Sequence, residues 1–192
     1  MNLQHVNVKL MLDSPADADL APLIPIFYSW IRGQIFEELL LDVADYRHVP
    51  AGPGVVLIGH QANYSVDNLD NRLGVRYNRK AELDGGNQDR LAQAVRAALI
   101  ACQRLEAEPT IAGKFHFSGR ELELFINDRL LAPNSEPTFA EARPDLQQFA
   151  EKLFRGPHYS LAHNPDPRKL FGVSIKASDS FPLATLLKNL GS

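Results

Sequence analysis

Apolar and other side chains alternate along the first dozen residues. Val6, Val8, Leu10 and Leu12 take the even positions and His5, Asn7, Lys9 and Met11 the odd ones, which is the period of a half-buried strand. After a polar stretch from Asp13 to Asp19, Leu20, Leu23, Ile24, Phe27, Trp30 and Ile31 recur at helical spacing. Asp17 or Asp19 is placed to cap that helix and Gly33 to end it, with Pro22 and Pro25 confined to the first turn. Three β-rich runs follow, Glu38 to Val49, Gly54 to Asp67 and Leu73 to Leu83. The connections between them are short and polar or rich in Pro and Gly, so the runs predict an antiparallel meander rather than crossovers, which need a dozen or more residues.

Past Gly85-Gly86, Asn87 is a candidate cap for an alanine-rich amphipathic helix closed by Pro109. Phe115 and Phe117 face Leu124 and Leu122 in an expected hairpin around Ser118-Gly119-Arg120-Glu121, which would put His116 opposite Glu123. Thr138 to Glu141 reads as a capping box, with Pro144 restarting a helix that runs to Phe154. Strands at Tyr159 to His163 and Leu170 to Ala177 precede a last helix from Pro182 to Asn189, capped by Asp179 or Ser180, and a fraying Gly191-Ser192 tail. The fold class is therefore α+β, a largely antiparallel sheet with about four helices in a single domain over 1–192. Each half, 1–109 and 110–192, carries a strand-helix-strand-strand unit, an arrangement that duplicated small-molecule-binding domains also use.

Hydrophobic residues at 45% and charged residues at 22% fit an ordered domain with a real core. A net charge of -3 gives no basic face for a phosphate backbone, which argues against nucleic acid. No apolar run approaches the ~20 residues of a membrane span, and the first residues lack the pattern of a signal peptide, so a cytoplasmic chain without a membrane partner is expected. Cys102 is the only cysteine; it excludes an intrachain disulfide and falls in an apolar helical stripe as a core thiol. Phosphate-loop, nucleophile-elbow and zinc-helix motifs are absent, and Gly52-Pro53-Gly54 joins two strands with no helix behind it. None of the six histidines lies four residues from another, so no metal is expected, and nothing calls for a cofactor.

The central meander carries the unusual chemistry. If Asn68 to Asn71 form its last turn, Asp67 faces Arg72 on a polar face, and Val66 faces Leu73, Tyr64 faces Val75 and Ala62 faces Tyr77 on an apolar one. Gln61, Asn63, Ser65, Arg76, Asn78 and Lys80 then lie on the other face, toward solvent. The same register sets His60 opposite Arg79 on the core side, where two cationic groups call for an anion between them. Asp45 on the preceding strand, opposite Ile58 if Leu39, Leu41 and Val43 face the core, or an acidic ligand, would supply it. His60, Arg79, Asp45, Tyr64 and Tyr77 are the candidate ligand-binding residues, and Asp45, His60 and Arg79 the candidate catalytic ones.

Three functions remain open: a module binding a small anionic ligand, a partner-assembly or structural subunit, and a small acid/base enzyme working from the meander. Phe27, Tyr28, Trp30, Ile31, Ile35 and Phe36 present more aromatic surface than a one-sided stripe needs, so a homodimer is expected.

Overall fold

The computed structural model describes residues 1–13 and 18–191, so the cap read at Asp17 and the tail residue Ser192 lie outside the described residues. Eight strands form one antiparallel sheet: β1 (Val6–Met11), β2 (Leu40–Tyr46), β3 (Gly54–Gly59), β4 (Ala62–Asp67), β5 (Gly74–Arg79), β6 (Glu121–Ile126), β7 (Tyr159–His163) and β8 (Phe171–Ala177). Their order across the sheet is β2-β3-β4-β5-β1-β6-β8-β7. The first strands of the two halves, β1 and β6, pair at the centre with Val8 opposite Leu124. Helices α1 (Leu23–Gly33), α2 (Asn87–Glu106), α3 (Glu136–Phe154) and α4 (Leu183–Leu190) accompany them, as an α+β fold requires.

The helices cover the face built by Val6, Val8 and Leu10 of β1, Tyr64 and Val66 of β4, Val75 and Tyr77 of β5, and Leu122 and Leu124 of β6, all buried. Period-2 alternation thus decides which face is core. In α2, Leu91, Val95, Ala98, Cys102 and Leu105 fall on one stripe and are buried. Burial also pushes the Cys102 thiol well above its ordinary range, so it packs as a small hydrophobe. No helix among the described residues is long and apolar enough to cross a membrane.

Several local expectations are corrected. The run from Gly54 to Asp67 is two strands, broken by a two-residue turn at His60-Gln61, so the meander has four strands. Gly59 is required there because a Cβ would stand 2.5 Å from the Ala62 carbonyl oxygen. The β4–β5 register is shifted by two residues, with Asp67 opposite Gly74 and Tyr64 opposite Tyr77. The cause is a longer connection, a 3-10 turn at Leu69–Asn71 in which Asp70 and Asn71 both take positive φ. A two-residue shift preserves the faces, so the apolar set survives and only the partners change. Phe115 and Phe117 are buried but form no strand. His116 accordingly lies 3.3 Å from Glu106, while Glu123 pairs with Arg72. Pro144 lies inside a continuous α3 capped by Ser135, whose hydroxyl accepts the Thr138 N–H. Gly86 rather than Asn87 caps α2, and no side chain caps α4.

Candidate functional site

A cavity of about 720 Å³ opens on the helix-covered side between β4–β5, α2 and the connection that follows α1. Its apolar wall comes from Ile35, Phe36, Leu39, Ala97 and Ile100. Phe36 leaves α1 after the left-handed Gln34 and stacks on Tyr64, with ring centroids 4.7 Å apart. The α1 aromatics are thereby divided: Phe27 and Trp30 are buried, Phe36 turns toward the cavity, and Tyr28 stays exposed.

The polar side of the cavity gathers three of the sequence candidates. Arg79, Tyr64 and His60 all line it, and Tyr77 lies behind it, fully buried, its hydroxyl accepting 2.9 Å from Gln93 Nε2. His60 does not sit opposite Arg79 in the sheet. It occupies the exposed β3–β4 turn, and the residue across from Arg79 is Ala62. The Arg79 guanidinium clips the segment after β5 to the sheet, donating to the carbonyls of Ala81 at 2.8 Å and Glu82 at 3.2 Å and to Gln61 Oε1 at 3.3 Å.

Asp45 is absent from this place. The β2–β3 register puts it opposite Val55 rather than Ile58, and a shift between Leu40 and Asp42 turns Leu40 inward and leaves Leu39 and Leu41 exposed. Asp45 instead accepts two guanidinium bonds from Arg47, at 2.9 and 2.7 Å, and these bonds lower its carboxyl to about 2. Such a group stays ionised at neutral pH.

The anion beside Arg79 is Glu38, which the sequence reading passed over. One of its oxygens accepts from the Tyr64 hydroxyl; the other is buried with no well-formed hydrogen bond. Burial raises the Glu38 carboxyl above its ordinary value, against the lowering pull of the Tyr64 bond and the Arg79 charge. Burial and the neighbouring Glu38 also push the Tyr64 phenol far up, and burial raises Tyr77. Only the Phe36-Glu37-Glu38 juxtaposition after a helix end could have pointed to Glu38, and it lies in a connection where periodicity gives no direction.

Arg96 and Arg104, one face of α2, complete the rim. Arg96 Nη2 donates to the Leu190 carbonyl at 3.2 Å, whereas Arg104 has no hydrogen-bond or ion-pair partner among the described residues. The result is an apolar slot ending in a hydrogen-bonded acid and several guanidinium groups, the composition of a small-molecule site. No protein-family model, curated protein or solved structure matches the chain.

Proposed function

We propose that the chain is a small-molecule-binding module whose ligand, an amphipathic anion, occupies the cavity beside α2. The observation that carries this reading is the convergence of Glu38, Tyr64, Arg79 and Arg104 on one cavity with an apolar wall. The ligand's apolar body packs on Phe36, Ala97 and Ile100, and its acidic group meets the guanidinium side, where Arg104 has a charge to offer. Protonated Glu38 donates a hydrogen bond to that group; ionised Glu38 repels it. Ligand uptake is therefore coupled to a proton.

Calorimetric titration with naphthalene-2-sulfonate, an aromatic anion ionised at every working pH, tests the reading. Saturable binding that weakens about tenfold in Arg104→Ala is expected, the cost of one charge-assisted contact. No heat in the folded protein, or equal binding by the variant, would overturn it.

The raised Glu38 carboxyl supports a second reading, a small acid/base enzyme in which Glu38 takes the role first given to Asp45. A cytoplasmic homodimer belongs to the same proposal. Exposed Tyr28 on α1 and exposed Leu39 and Leu41 at the β2 edge support self-association. Light scattering that returns the 21.4 kDa monomer at tens of micromolar would sink that part.

A further inference from the structure

The sheet face that carries no helix is polar and yet mostly enclosed. Asn63, Asn78 and Asn7 stand side by side across β4, β5 and β1, and Ser65, Arg76, Lys9 and Glu123 form the next row across β4, β5, β1 and β6. Asn7 and Lys9 are almost completely buried on this open face, and Ser65 and Asp67 are nearly so. The enclosure comes from loops. The β4–β5 and β7–β8 connections arch over the face and meet where Lys169 Nζ lies 2.7 Å from Asp70 Oδ2.

Beside that bridge lies a cleft of about 510 Å³, floored by Val56, Ile58, Asn63, Ser65, Arg76 and Asn78 and rimmed by Tyr46 and Asn127. An adjoining cleft of about 560 Å³ shares Leu69 and Arg76 with it and runs over Phe125, Gly172 and Ser174. Gly172 makes room for the Phe125 ring, since a Cβ there would stand 2.9 Å from it, and the Arg76 guanidinium rests 4.9 Å from the same ring's centroid.

The hydrogen-bonding inventory of this face is incomplete. Both polar atoms of Asn7, the Oδ1 atoms of Asn63 and Asn78, and Arg76 Nε are buried without a partner among the described residues. Native proteins leave few such groups unsatisfied, because each costs desolvation without return. The charges, in contrast, are balanced. Asp67 binds the Lys9 ammonium and lies 3.9 Å from Arg76, and Arg72 reaches Glu121 at 2.8 Å and Glu123 at 3.0 Å. In the lining of the first cleft the charged side chains are Asp67 and Arg76, one of each sign and 3.9 Å apart, so nothing there is left over to recruit an ion.

We infer that this open face binds a neutral saccharide, read by the amides of Asn63, Asn78 and Asn127. An amide edge presents a donor and an acceptor together, and successive strands repeat it about 4.8 Å apart. A hydroxyl, which donates and accepts at once, is the complementary group, and a sugar ring supplies several at that order of spacing. Val56, Ile58 and the exposed Tyr46 ring offer apolar contact to the C–H face of the ring. The adjoining cleft gives a second ring a place to continue, with Arg76 between the two.

Saturation-transfer NMR on the intact protein, with maltotriose and chitotriose as separate probes, tests the inference. Transfer to sugar ring protons is expected in the parent. Affinity should fall about tenfold in Asn63→Ala and again in Asn78→Ala, as loss of one good hydrogen bond predicts. Tyr46→Ala, an exposed rim change that cannot unfold the sheet, should weaken transfer as well. Arg104→Ala should leave sugar binding untouched, so failure at the helix-side cavity and failure here are distinguishable. Absence of transfer from the folded parent to either trisaccharide at about 10 mM, a concentration that detects even millimolar affinity, would overturn the inference. Undiminished transfer in all three open-face variants would overturn it too, as would binding of a neutral tripeptide in place of either sugar.

Discussion

The two faces of β4, β5 and β1 are made by the same strands and handle polar groups in opposite ways. On the helix-covered face, Tyr64, Tyr77 and Arg79 each find a protein partner, and one Glu38 oxygen, at the cavity, lacks a well-formed hydrogen bond among the described residues. On the open face a charged pair is sealed beneath loops, while a row of amides next to it has no partner among the described residues. Buried polar groups are tolerated when they are satisfied and costly when they are not. The first face is therefore a core with one polar corner, which the proposed function makes a ligand site, and the second is the face to which the saccharide inference applies.

The largest expected effect separates the sealed pair from the free amides. Lys9→Met should cost about 3–5 kcal/mol in urea denaturation, because it leaves the Asp67 carboxylate buried with the Leu69 N–H and, as its nearest remaining cation, Arg76 at 3.9 Å. The double variant Lys9→Met/Asp67→Leu should recover most of that loss. If Lys9→Met alone is neutral, the pair is not enclosed as described.

Within the helix-side cavity, the two candidates singled out together in the sequence should part company. Arg79→Ala should lower stability by about 2–3 kcal/mol, since three acceptors lose a charged donor at once. His60→Ala, in an exposed turn, should stay within about 0.5 kcal/mol of the parent. Equal losses would mean that the turn histidine carries structure after all.

A smaller effect of opposite sign is expected across the sheet. Asn7→Leu replaces a fully buried, unpartnered amide by an apolar side chain of similar size and should raise stability by about 1 kcal/mol. Val8→Asn, one residue on and facing the core, should do the reverse. A destabilised Asn7→Leu would show that the amide is satisfied in solution.

These faces were unequally legible in the chain. Alternation assigns Val6, Val8, Tyr64 and Tyr77 to the core correctly even though the β4–β5 partners are displaced by two residues, because side-chain direction depends only on parity. Parity cannot reveal a two-residue turn inside a continuous β-rich run, and so it places His60 in a strand. Nor can it foresee that loops fold over a polar face, which is why Asn63, Ser65 and Arg76 were expected to be simply solvated. Asp45 and Glu38 exchange places for a related reason. A shift in β2 turned one acid outward to Arg47, and the other sits in a connection whose path only tertiary packing decides.

The smallest stability effect concerns Glu38. Its carboxyl is raised in the folded state, so the fold retains a proton where the unfolded chain has lost it. The stability this group contributes is thus fullest below the ordinary value of 4.5 and is lost as pH rises through the folded value. Glu38→Gln should remove that part of the slope in thermal melts across the range, leaving the contribution of the similarly raised Glu123. An unchanged slope would mean that the carboxyl is solvated.

The same proton offers the most direct test of the helix-side cavity as the ligand site. Naphthalene-2-sulfonate binding should be measured by calorimetry as pH rises from the ordinary carboxylate value of 4.5, since the raised Glu38 carboxyl gives up its proton above that value while the probe stays ionised throughout. In the parent, affinity should fall as pH rises and Glu38 ionises beside the bound anion, whereas in Glu38→Gln it should be flat across the same range. Parallel pH profiles in the two proteins would contradict the placement of the ligand's acidic group beside Glu38.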